Sequence, residues 1–121
     1  MSKGEIFQTD TTKEFYLEER CYITEILNSE LHPDISISRA RVEPGVTTAL
    51  HRLKNTAEKY YILSGKGLAE VDGQTSEVKT GDLVMIPENV SQRITNIGAV
   101  DLIFLCVCTP RFEMENYEEV Q

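Results

Sequence analysis

His51, Glu58 and Gln92 are the residues of this chain whose types and spacing best suit chemistry. An imidazole titrates near neutrality, a carboxylate beside it can orient it or exchange a proton with it, and a carboxamide can hold a polar ligand without changing charge. Side chains in a strand alternate faces, so His51 and Leu53 point the same way, Glu58 shares its face with Tyr60 and Ile62, and Gln92 shares its face with Ile94 and Asn96. A small β barrel that brings these strands together gathers His51, Leu53, Glu58, Tyr60 and Gln92 at one cavity. There His51 and Glu58 form either a catalytic proton-transfer pair or a hydrogen-bonded inward pair with a structural role. Gln92 takes partners from Glu58 or a ligand, Tyr60 offers a phenol or simply packs, and Leu53 makes the wall more apolar.

Two arginines have two readings. In Ile35 to Val42 the apolar residues switch from odd to even positions near Ser38. The preferred cause is a β-bulge there, with Arg39 and Arg41 both reaching solvent. In the alternative the strand is regular and both guanidinium groups enter the cavity as ligand-binding groups for a carboxylate or phosphate. Arg93, next to an inward Gln92, turns outward, and His32 sits in a loop beside Pro33 with no assigned role.

The elements that must position these groups are strands. Short apolar stretches recur between turn signals, and no helical period is sustained before the last dozen residues, which predicts an all-β sandwich or barrel. Expected strands are Cys21 to Leu27, Ile35 to Val42, Tyr60 to Leu63, Leu68 to Val71, Leu83 to Ile86 and Ser91 to Thr95. Tyr60 to Leu63 and Leu68 to Val71 are expected to pair antiparallel, and Asp72-Gly73 is a favoured hairpin turn. Leu102 to Cys108 is apolar without alternation, as for a strand covered on both faces by the N-terminal segment or a second subunit. The acidic stretch from Glu113 to Gln121 is expected to be a short surface helix or a frayed end.

Composition removes several classes of function. The 121 residues suit one domain, with a barrel core over about 35–110, an N-terminal strand and loop segment over 1–34 and a tail over 111–121. A net charge of −8 argues against a nucleic-acid partner, whose affinity rests on Lys and Arg displacing counterions. No apolar run approaches the roughly 20 residues that span a bilayer, so no membrane association is expected. The start of the chain lacks the pattern of an export leader, which predicts a cytoplasmic protein. Cys21, Cys106 and Cys108 are an odd, sparse set, which suits reduced and buried thiols better than a disulfide framework.

Two glycine-bounded blocks carry a family resemblance. Gly45, five residues, His51, one residue, Leu53, four residues, Glu58, six residues and Gly65 form the first. Gly81, five residues, Pro87, one residue, Asn89, two residues, Gln92, three residues and Asn96 form the second. Their spacing resembles the two signature motifs of the cupin family, and the resemblance implies a double-sheet jelly-roll barrel. Members with the full motif hold a divalent metal through three histidines and a glutamate. Only His51 and Glu58 match, because Leu53 stands where the second histidine belongs and Gln92 where the third does. The implied site is therefore either a divalent metal (Mn, Fe, Ni or Zn) on His51, Glu58 and Gln92, or a metal-free polar pocket. The implied activity is that of a metabolic enzyme of isomerase or lyase type acting on a sugar or small organic acid, with dioxygenase chemistry disfavoured. The alternative is a non-catalytic module that binds or senses a metabolite. Homodimerisation is the expected assembly.

Overall fold

The structure, a computed structural model, describes residues 4–120. Among these residues eleven strands run in chain order: β1 (Phe15–Leu17), β2 (Cys21–Leu27), β3 (Ser36–Val42), β4 (His51–Leu53), β5 (Ala57–Ser64), β6 (Lys66–Val71), β7 (Gln74–Lys79), β8 (Leu83–Ile86), β9 (Gln92–Asn96), β10 (Leu102–Thr109) and β11 (Tyr117–Glu119). They form a six-stranded sheet in the order β1-β2-β3-β10-β5-β8 and a five-stranded sheet in the order β11-β4-β9-β6-β7. This is the expected all-β jelly roll. The alternating side chains of each sheet send one set inward, where Val42, Ile62, Ile94, Leu102 and Phe104 close the core. No helix among the described residues is long and apolar enough to cross a membrane.

Two turns explain how the strands reach their sheets. Asp72 and Gly73 both have positive φ, 52° and 77°, the twist a tight hairpin needs, and they fold β6 onto β7. Gly65, between β5 and β6, has φ +93° and lies so close to the chain that an added Cβ would come within 2.8 Å of the Asp101 carbonyl oxygen. At that point the chain leaves one sheet for the other. Tyr60 to Leu63 therefore does not pair with Leu68 to Val71, contrary to the sequence expectation: β5 pairs with β10 and β8, and β6 with β7 and β9.

Three further expectations change. β10 does alternate, with Leu102, Phe104, Cys106 and Cys108 buried and Ile103, Leu105 and Val107 half-buried on the outer face. The C-terminal stretch is neither a helix nor a frayed end over 117–120: a single 3-10 turn at Met114–Asn116 leads into β11, which pairs with β4. The bulge near Ser38 lies on the partner strand, where the β2–β3 register shifts between Glu25 and Leu27. β3 itself runs regularly and keeps Ser36, Ala40 and Val42 buried.

Candidate functional site

A cavity of about 720 Å³ opens at one end of the barrel. Residues of β1 to β5 and β10 form its walls, together with residues from Arg111 to Tyr117. Hydrogen bonds hold that segment: the Phe112 N–H donates to Ser36 Oγ (2.8 Å), the Asn28 amide to the Phe112 carbonyl (3.1 Å) and the Arg111 N–H to the Pro33 carbonyl (3.1 Å). The turn between β1 and β2 is pinned as well, with the Ala49 N–H on the Glu19 carbonyl (2.9 Å) and Arg20 Nε on the Thr47 carbonyl (2.7 Å).

His51 sits in the wall at 5% exposure. Its Nδ1 lies 2.8 Å from the Ala49 carbonyl oxygen, which can only accept, so Nδ1 carries the proton of the neutral ring and Nε2 keeps the lone pair. Glu19 Oε2 stands 3.6 Å from the same Nδ1, and the Tyr117 ring stacks on the imidazole with centroids 4.8 Å apart. These contacts fix the ring plane and the tautomer together.

Glu58, 7% exposed, lines the same cavity. Burial, reinforced by the nearby Glu19 charge, pushes its carboxyl up to about 7, while the Cys108 and Cys106 thiols and the Gln92 amide pull the other way. The thiols of Cys21, Cys106 and Cys108 are themselves driven upward by burial first, and by neighbouring carboxylates, so they are protonated and act here as weak donors. Cys21 Sγ donates to Glu19 Oε1 at 3.3 Å.

The other residues singled out from the sequence divide. Leu53 lines the cavity. Gln92 pairs in register with His51, yet its Oε1 accepts from the Tyr60 hydroxyl and its side chain is buried behind the cavity wall. Tyr60 belongs to the hydrophobic core, packed on Phe104 at 4.7 Å between centroids. Arg39 and Arg41 stand on the outer face of β3 and not in the cavity: Arg41 bonds Glu14 (2.8 Å) and Asp101 (3.2 Å) and lies over the Tyr22 ring, and Arg39 approaches Glu14 at 3.9 Å. Glu19 and Tyr117 were not anticipated. The signal for Glu19 was its phase, since Phe15, Leu17, Glu19, Cys21 and Ile23 are one alternating set in which a single member is charged.

The donor set does not fit a resident divalent metal. Leu53, buried at the second histidine position, has no lone pair, and Gln92 brings to the third only a neutral amide oxygen, a weaker ligand than imidazole that already accepts one hydrogen bond from Tyr60. Among the described residues no group of three or more His, Cys, Asp or Glu side chains is arranged to hold an ion.

Comparison with known proteins agrees with this architecture. Residues 38–108 match the family model for the cupin domain. An uncharacterized protein of Methanocaldococcus jannaschii is 35% identical over 111 residues, covering 90% of this chain and 89% of that one. An oxalate-binding protein of Thermotoga maritima is 36% identical over 70 residues, 58% of each chain. The crystal structure of a predicted oxalate decarboxylase from Thermotoga maritima superimposes with a TM-score of 0.79 at 24% identity, covering 88% of this chain and 99% of that one, which speaks to the fold alone.

Proposed function

This chain belongs to the cupin domain family, and from that premise we propose that its cavity binds a small organic molecule and carries out acid–base chemistry on it, of isomerase or lyase type. One observation carries the reading: a buried imidazole with Nε2 as its basic nitrogen and a buried carboxyl shifted to about 7 line the same 720 Å³ hollow. In this scheme His51 Nε2 removes a proton from the substrate and the protonated Glu58 returns one, so charge and protons balance within the site. Glu19 and Tyr117 hold the imidazole, and Leu53 and its apolar neighbours exclude water. No step needs a metal, in keeping with the donor set.

The second reading is a non-catalytic metabolite-binding module, favoured by the name of the Thermotoga maritima relative, an oxalate-binding protein. In either case we propose a cytoplasmic homodimer. The outer faces of β5 and β8 present Tyr61, Leu63, Leu83 and Met85, all at least 39% exposed, as one apolar patch suited to a second copy of the chain.

A thermal-shift screen over sugars, hydroxy acids, amines and amino acids finds what the cavity accepts, because a ligand that binds only the folded chain raises its melting temperature. Each hit is then assayed for conversion. The expected result is turnover that falls about 10²-fold or more in His51→Ala. A ligand that binds tightly and is never converted would exclude the catalytic reading and leave the binding module.

A further inference from the structure

We propose that the molecule this cavity accepts is an organic amine, bound as its ammonium ion, and not a small carboxylate; the inference rests on the reading of the hollow as a ligand site. Seven glutamates contribute to the cavity walls; Glu58 is the one held as the uncharged acid, Glu19 is the most enclosed of the other six, and Glu25, Glu30 and Glu115 are exposed. Against them, among the described residues, stands one arginine in the walls, Arg111, which gives Nη1 to Glu113 at 2.7 Å and keeps its buried Nε without a partner. The two guanidinium groups that could have made an anion pocket, on Arg39 and Arg41, lie on the far side of the sheet beside Glu14. A cleft with walls of one charge concentrates ions of the opposite sign and repels its own, and low-dielectric walls sharpen both effects.

A second observation points to a donor-bearing ligand. His51 is more than nine-tenths buried, and with Nδ1 committed to the Ala49 carbonyl its Nε2 can only accept a hydrogen bond while the ring is neutral. An ammonium group brings several N–H donors, whereas a carboxylate brings none. The hydrocarbon part of the ligand also has a place. Phe15, Phe112 and Tyr117 offer aromatic surface, on which a cation is favoured, and Leu53 and Met114 add apolar wall. A bare metal ion would not satisfy this site, since among the described residues no three ligating side chains converge on one point.

The test uses two sets of probes matched in shape and differing in charge: putrescine, 1,4-butanediol and succinate, then 2-phenylethylamine, 2-phenylethanol and phenylacetate. Thermal shift followed by calorimetry gives the ranking on the full chain. The expected result is that an amine binds about tenfold or more tighter than its matched carboxylate, and that added salt weakens it. Glu19→Gln should weaken the amine about five- to tenfold, and Glu25→Gln, at an exposed strand position, should weaken it less without disturbing packing. A carboxylate that equals or beats its matched amine overturns the inference, as does an alcohol that binds as well as the amine. Silence from both sets, with a neutral or anionic hit in the wider screen, overturns it while leaving the ligand site intact. Silence in every screen overturns the ligand site itself.

Discussion

Glu58 shows how one carboxyl reports on its surroundings. Its ordinary value is 4.5, and burial with the Glu19 charge raises it to about 7 in the folded chain. Between those values the folded chain holds a proton that the unfolded chain has released, so stability falls as pH rises through that window, by on the order of 3 kcal/mol in total. Thermal melts from about pH 5 to about pH 8 should show this decline in the parent, and Glu58→Gln should flatten it and be the more stable protein at the alkaline end. A second residue-scale test concerns the missing donors. Leu53→His combined with Gln92→His restores two nitrogens beside His51 and Glu58, and it should gain near-stoichiometric nickel or cobalt measured by elemental analysis, where the parent retains a minor fraction. A parent that copurifies with one tightly bound metal per chain would contradict the account given of Leu53 and Gln92.

At the scale of elements, the crossing at Gly65 decides which strands meet. Its φ of +93° and the 2.8 Å approach of the Asp101 carbonyl to an added Cβ predict that Gly65→Ala costs about 3 kcal/mol or prevents folding. Gly45→Ala is the control: φ is +79° but nothing lies within 4 Å, so it should lose only about 1 kcal/mol, read from denaturant melts. The same crossing explains what was legible in the sequence. The period-2 alternation put His51 with Leu53 and Glu58 with Tyr60, and Pro87 stopped β8 where expected, because strand phase and turn chemistry are local properties. Partner choice is not local. Tyr60 to Leu63 and Leu68 to Val71 look like a hairpin in the sequence, and a left-handed glycine sends them to different sheets. Glu19 and Tyr117 escaped notice for the same reason: they reach His51 from the β1–β2 turn and from the last strand, across 32 and 66 positions. Alternation also left Gln92 and Tyr60 inward but could not tell core from cavity.

For the whole molecule the two faces of the six-stranded sheet separate two roles. The inner face builds the hollow, and the outer face carries the apolar patch of Tyr61, Leu63, Leu83 and Met85 next to half-buried Ile103 and Leu105. A homodimer through that face should bury on the order of 800 Å² per chain, and Leu83→Lys with Met85→Lys should convert it to a monomer by light scattering while leaving the fold intact. Unchanged mass would place the contact elsewhere.

The central claim is that a ligand meets His51 through Nε2 inside the hollow. The chain has two histidines, so nitrogen-15 spectra of the imidazoles resolve into His51 and His32, the latter a half-buried reporter outside the cavity walls, beside Glu5. With the rings neutral, the account predicts that His51 carries its proton on Nδ1, and that ligand moves the His51 Nε2 resonance and leaves His32 in place. A proton found on Nε2, or a bound ligand that leaves the His51 signals where they were, would contradict it.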